Sequence, residues 1–109
     1  MDMVPRATFT FSDAAKEYIR DAIADGDKRS PDDPIVATSI GWGTYSAESR
    51  QSGDGLVVGF YNCSSLHAIA DALQNVSGMP VLFYVRPKDV VKFQGKVIDY
   101  NEEKWLFLR

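Results

Sequence analysis

Apolar residues first recur at every second position, at Ala7, Phe9 and Phe11, which predicts a short strand or extended arm. Ser12 follows as a helix N-cap, with Asp13 well placed at the positive end of the helix dipole. Ala14, Ala15, Tyr18, Ile19, Ala22 and Ile23 then share one helical stripe, and Gly26 marks the expected end of that helix. Asp27 to Pro34 is polar and proline-bounded, so it reads as a loop. Ile35 to Ile40 reads as a strand, Gly41-Trp42-Gly43 as a turn, and Thr44 to Arg50 as a second strand. Ser52-Gly53-Asp54-Gly55 signals a further turn before Leu56 to Tyr61. That segment is largely apolar, which predicts a strand buried on both faces, with Gly59 a candidate bulge.

A helical period returns after Asn62. Leu66, Ile69, Ala70, Leu73 and Val76 share one face, Ser64 or Ser65 offers a cap, and Gly78 with Pro80 stops the element. The expected second helix therefore runs from Ser64 to Val76. Pro80 to Val85 reads as another buried strand, and Asp89 to Phe93 as a short helical or irregular piece. Gly95 opens a hairpin whose strands are Lys96 to Tyr100 and Lys104 to Leu108, joined through Asn101-Glu102-Glu103. No repeat, low-complexity tract or linker interrupts the 109 residues, so the whole chain, 1–109, is expected to form a single domain.

Composition narrows the function classes. With 45% hydrophobic and 25% charged residues the chain has what a folded core needs. A net charge of −3, with Lys16 and Arg20 interleaved with Glu17 and Asp21, argues against a nucleic-acid or anionic-membrane surface. No apolar run approaches the ~18 residues that a membrane span requires. The opening MDMVPRATF lacks a basic segment followed by an apolar core, so no signal peptide is expected. Cys63 is the only cysteine, which rules out an internal disulfide and suits a reducing, cytoplasmic compartment.

Two stretches carry a family resemblance: TFTFSDAAKEYIRDAIA near the start, and FQGKVIDYNEEKWLFLR from Phe93 to Arg109. Together they resemble the A-type iron–sulphur carriers, the HesB-like or IscA-like domain. In that family a short strand leads into an amphipathic helix, and a Gly-x-x-x-Asp-Tyr hairpin ends in an aromatic strand. Gly95, Ile98, Asp99, Tyr100 and Phe107 stand on those hairpin positions. The resemblance spans about half of the chain. It implies an α+β fold with a β-rich pseudobarrel or sandwich of about six or seven strands and two helices.

The same resemblance implies three cysteine ligands for iron, one in a glycine-rich mid-chain turn and two in a C-terminal C-x-C. The counterpart of that turn is Ser39 to Thr44, where Trp42 or Gly43 stands in the ligand's place, and the C-x-C would follow Arg109. The Ser64 to Val76 helix is an insertion relative to the family pattern. The resemblance therefore brings the fold and carries over no ligand.

Three groups of residues are candidates for chemistry. Cys63, His67 and Asp71 are spaced i, i+4 and i+8, so on a helix a thiol, an imidazole and an orienting carboxylate would share one stripe. That pattern suits an activated nucleophile, or a metal held by Cys63 and His67 and shared between subunits. The bland alternative is a small buried thiol beside a boundary histidine. Gly41, Trp42 and Gly43 form a candidate recognition surface if Trp42 projects from a turn, and a core element if it folds back over the sheet. Asp99, Glu102 and Glu103 are the candidate acid–base carboxylates, in a hairpin where acidic residues are ordinary.

These residues predict a non-catalytic binding or regulatory module on a HesB-like fold, with no cofactor, engaging an unknown protein or a small ligand. An iron–sulphur or metal carrier with ligands relocated to Cys63 and His67, or a small thiol-dependent enzyme, are the alternatives. Exposed strand edges leave a homodimer open.

Overall fold

In the computed structural model, residues 5–44 and 53–109 are described. The expected strand from Thr44 to Arg50 lies outside them beyond Thr44, as do Met1–Val4 of the opening. The architecture is α+β: among the described residues, seven strands form two sheets. Sheet one has the order β1 (Thr10–Phe11), β6 (Val97–Asn101), β7 (Trp105–Leu108). Sheet two has the order β3 (Gly55–Asn62), β2 (Ile35–Gly43), β5 (Met79–Phe83), β4 (Gln74–Val76). Helix α1 (Asp13–Arg29) lies against β6 and β2.

Helix α1 begins where the sequence places it. The Ser12 hydroxyl accepts from the Ala15 N–H at 3.1 Å, satisfying one of the free donors of the first turn. It ends later than expected, at Arg29, with Gly26 inside the helix. The reason is space rather than backbone freedom. A Cβ on residue 26 would stand 2.7 Å from Cδ1 of Ile35, so glycine lets β2 pass close to the helix.

Strand β2 continues through Gly41, Trp42 and Gly43, which pair with Val57, Leu56 and Gly55, so the expected turn at 41–43 is strand. The irregularity in this pairing falls between Ile35 and Ala37, not at Gly59, which pairs with Ser39. The expected helix from Ser64 to Val76 is also corrected. A 3₁₀ turn at Cys63–Ser65, a four-residue helix α2 (Leu66–Ile69) and a second 3₁₀ turn at Ala70–Ala72 use up the helical period. Leu73 is extended, and Gln74–Val76 pairs antiparallel with Met79–Phe83 around Ser77 and Gly78. Both turn residues have positive φ, 52° and 84°, the backbone of a type I′ hairpin whose twist matches its strands.

Side-chain amides hold the short β4 in place. The Gln74 carbonyl oxygen accepts from the Ala7 N–H at 2.7 Å, and its amide donates to the Pro5 carbonyl at 2.8 Å. Asn75 caps the turn by accepting from the Gly78 N–H. Pairing with β5 thus satisfies the backbone that a helix would otherwise have satisfied internally.

The central strands β2 and β5 of the four-stranded sheet bury residues on both faces. Ile40, Val81 and Phe83 face the main core with Phe9, Ile19, Phe93, Ile98 and Leu106. Ala37 and Leu82 face the other way onto Ile69 of α2. That explains why β5 reads as a continuous apolar run rather than an alternation. At the centre of the main core, Phe9, Phe83 and Phe93 meet pairwise with ring centroids 5.0 to 5.6 Å apart, two of the three contacts edge to face. Phe93 is fully buried and comes from the 3₁₀ segment Pro87–Phe93, so it ties that connection to the sheets. Phe93→Ala is expected to cost about 3–5 kcal/mol of stability, read from chemical denaturation, because it removes a fully buried ring from its contacts with Phe9 and Phe83. A loss under about 1 kcal/mol would show that the 3₁₀ segment is not tied to the core.

Candidate functional site

A concave feature runs along α1. Two rows of the helix meet there, each at four-residue spacing and therefore on one face. Ala14, Tyr18, Ala22 and Gly26 form a row of small residues broken by one ring; Glu17, Asp21, Asp25 and Arg29 form the charged row beside it. Because Ala22 and Gly26 are small, a groove of about 510 Å³ opens between this face and Ile35 of β2 and Phe60 of β3. A second hollow of about 270 Å³ adjoins it, lined by Ala14, Glu17, Tyr18, Asp21 and Tyr100 of β6. Tyr18 and Asp21 line both. The Tyr18 ring stacks on that of Tyr100, centroids 4.5 Å apart and 17° from parallel.

The acidic row is largely uncompensated. Arg29 pairs with Asp25 at 2.6 Å, both side chains well exposed, a contact worth little in stability. Among the described residues no cation pairs with Glu17 or Asp21, since Lys16 reaches back to Asp13 instead. The groove therefore offers an apolar wall on the sheet side and carboxylates along the helix side. Nothing in the sequence reading singled it out. The two four-residue rows are legible in the sequence once sought, but Ile35, Phe60 and Tyr100 come to them only through the fold.

Asp99 has a structural task beside the groove. Its Oδ1 accepts from the Ser12 hydroxyl at 2.6 Å and from the Tyr100 N–H at 2.8 Å, and its Oδ2 accepts from Arg109 Nε at 2.7 Å. Donors to the ionised form, Ser12 first and then Arg109, lower its pKa from 3.8 to about 2. A carboxylate that stays ionised throughout the physiological range is a poor acid–base partner. Glu102 and Glu103, its expected companions, are exposed in the turn.

Asp89 forms a second charged knot. It is buried, and accepts from Lys92 Nζ at 2.8 Å and Arg86 Nε at 3.1 Å. The hydrogen bond from Lys92 is the chief reason its pKa is lowered; burial opposes it, and Arg86 adds to the lowering. The same ammonium lies 4.8 Å from the centroid of the Trp42 ring, which meets Phe93 edge to face at 5.9 Å. Trp42 is thus half-buried on β2 beside the core, with Gly41 and Gly43 flanking it in the strand. Its buried indole N–H has no hydrogen-bond partner among the described residues.

The Cys63, His67 and Asp71 series is not a helical stripe. Cys63 opens a 3₁₀ turn, His67 lies in α2, and Asp71 lies in the next 3₁₀ turn, with all three exposed. Among the described residues no three His, Cys, Asp or Glu side chains converge as a metal site. The donor set does not fit an iron–sulphur cluster, which is held by several thiolates, whereas this chain has one cysteine. No helix among the described residues is long and apolar enough to cross a membrane. Comparison of the chain with family models, with curated proteins and with solved structures gives no match.

The Asp99 clamp makes a pH prediction. A carboxyl whose folded pKa is depressed stabilises the fold above its unfolded pKa and loses that contribution as pH falls through the folded value. Here the window runs from about 3.8 down to about 2. At pH 7 Asp99→Asn is expected to cost about 1–3 kcal/mol. The gap between wild type and variant should narrow through that window in denaturation curves; a constant gap would refute the clamp.

Proposed function

We propose that this protein is a non-catalytic binding or regulatory module on a HesB-like fold that has lost the family's iron–sulphur ligands. The groove along α1 is the observation that carries the reading. It is concave, has an aromatic wall and a charged rim, and falls in the size range of small-ligand and peptide sites. The groups that chemistry would need are spread elsewhere: Cys63 and His67 are exposed on successive short turns, and Asp99 is committed to Ser12 and Arg109. The HesB-like part of the proposal rests on the strand-then-helix opening and the Gly95 to Tyr100 hairpin. A single cysteine suits a cytoplasmic setting.

The Trp42 surface is a second reading, favoured by the unsatisfied indole N–H among the described residues. A ligand that reached it would supply a hydrogen-bond acceptor.

The experiment is metal analysis with visible spectroscopy on protein purified anaerobically after iron supplementation, for wild type and Cys63→Ser. Both samples are expected to be colourless and free of stoichiometric iron, and iodoacetamide should alkylate Cys63 at the rate of an unactivated thiol peptide. Stoichiometric iron that Cys63→Ser abolishes would replace the binding module with a carrier using relocated ligands. Alkylation more than about tenfold faster would favour the thiol-dependent enzyme.

A further inference from the structure

We infer that the α1 groove takes a basic peptide in extended conformation, one with lysine or arginine at alternate positions; this rests on the binding-module reading above. Spacing and charge both point to it. Glu17, Asp21 and Asp25 follow one another at four-residue intervals, about 6 Å of helix rise per step. Alternate residues of an extended chain are about 6.6 Å apart and project to the same side. Cationic side chains at positions i, i+2 and i+4 of such a peptide therefore meet successive carboxylates with little drift.

The opposite side of the peptide meets the other wall. The residues between the cations project away from the helix, toward Ile35 and Phe60 at one end and Tyr100 at the other. Ala22 and Gly26 leave the room for them. The groove thus matches both faces of an alternating basic and apolar strand, which a flat acidic patch would not. Arg29, already engaged with Asp25, sets the limit of the acidic rim. A peptide running past it would gain nothing from a further cation.

Fluorescence anisotropy on the full chain tests the inference, with a labelled Lys-Leu-Lys-Phe-Lys-Leu-Lys peptide at low ionic strength. Binding in the micromolar range is expected, weakening as salt is raised. A peptide of the same composition with its four lysines contiguous should bind at least fivefold more weakly. Asp21→Lys, at an exposed position, should lower affinity at least tenfold, and Ala22→Leu should do likewise by filling the groove. Circular dichroism and thermal unfolding establish that both variants fold.

No binding by the alternating peptide would overturn the inference, as would equal binding of the contiguous one. Binding that both variants leave unchanged would overturn it by placing the peptide elsewhere. Spermine competing at equal or lower concentration than the peptide would replace the peptide with a polyamine. Each of these results leaves the metal and thiol measurements untouched. Conversely, iron bound through Cys63 would defeat the binding-module reading whatever the peptide does.

Discussion

One hydroxyl joins the helix to the sheet on which the rest is arranged. Ser12 accepts from the Ala15 N–H and donates to Asp99, while its own N–H donates to the Ile98 carbonyl. The start of α1 is thereby clamped to β6 in both position and rotation. Less than two helical turns later, Tyr18 reaches Tyr100, the residue after Asp99, and their stacking repeats the same alignment at a second point. A helix held at two points along one strand cannot roll, and its rows keep a constant outlook. Which row faces Ile35 and Phe60, and hence where the groove opens, follows from that clamp.

The groove is also the consequence of unequal filling. On the core side of α1, Ala15 and Ile19 are completely buried and the helix sits close to the sheets. One row over, alanine and glycine replace larger side chains, so the helix approaches β2 closely yet leaves volume beside it. Gly26 shows both effects, since any side chain there would meet Ile35. The trimmed row costs buried apolar area that a larger residue would have supplied. Glu17, Asp21 and Asp25 are exposed beside this hollow, which gives the groove an acidic rim in a chain whose net charge is only −3.

Much of the fold was legible in residues whose local and tertiary demands agree. Ser12 with Asp13 announced the start of α1, and the alternation at Ala7, Phe9 and Phe11 announced the arm before it. The closing hairpin also followed from its pattern, with Asn101 paired to Trp105 across the turn. Where the reading failed, two local patterns competed. Leu66 to Val76 fits a helical period, but Gln74 finds partners at Pro5 and Ala7, and Ser77-Gly78 makes a tight hairpin that draws Val76 onto Met79. Gly41-Trp42-Gly43 looks like a turn because glycine is common in turns. Here Gly41 lies so close to the Tyr84 carbonyl that a Cβ would come within 3.3 Å, a close approach rather than a reversal.

The sequence by itself determined the elements that short-range chemistry controls: the capped helix, the apolar strands and the closing hairpin. It also held both rows of the groove, because four-residue spacing on a helix is a local property. Tertiary structure alone decided what those rows would face. Ile35, Phe60 and Tyr100 come from three strands in two sheets, and only sheet pairing and the Ser12–Asp99 clamp bring them to one helix face. For the same reason the series Cys63, His67 and Asp71, regular in sequence, lies on three successive short turns instead of one helical stripe. Local periodicity says which residues can share a face; long-range packing decides whether the face exists.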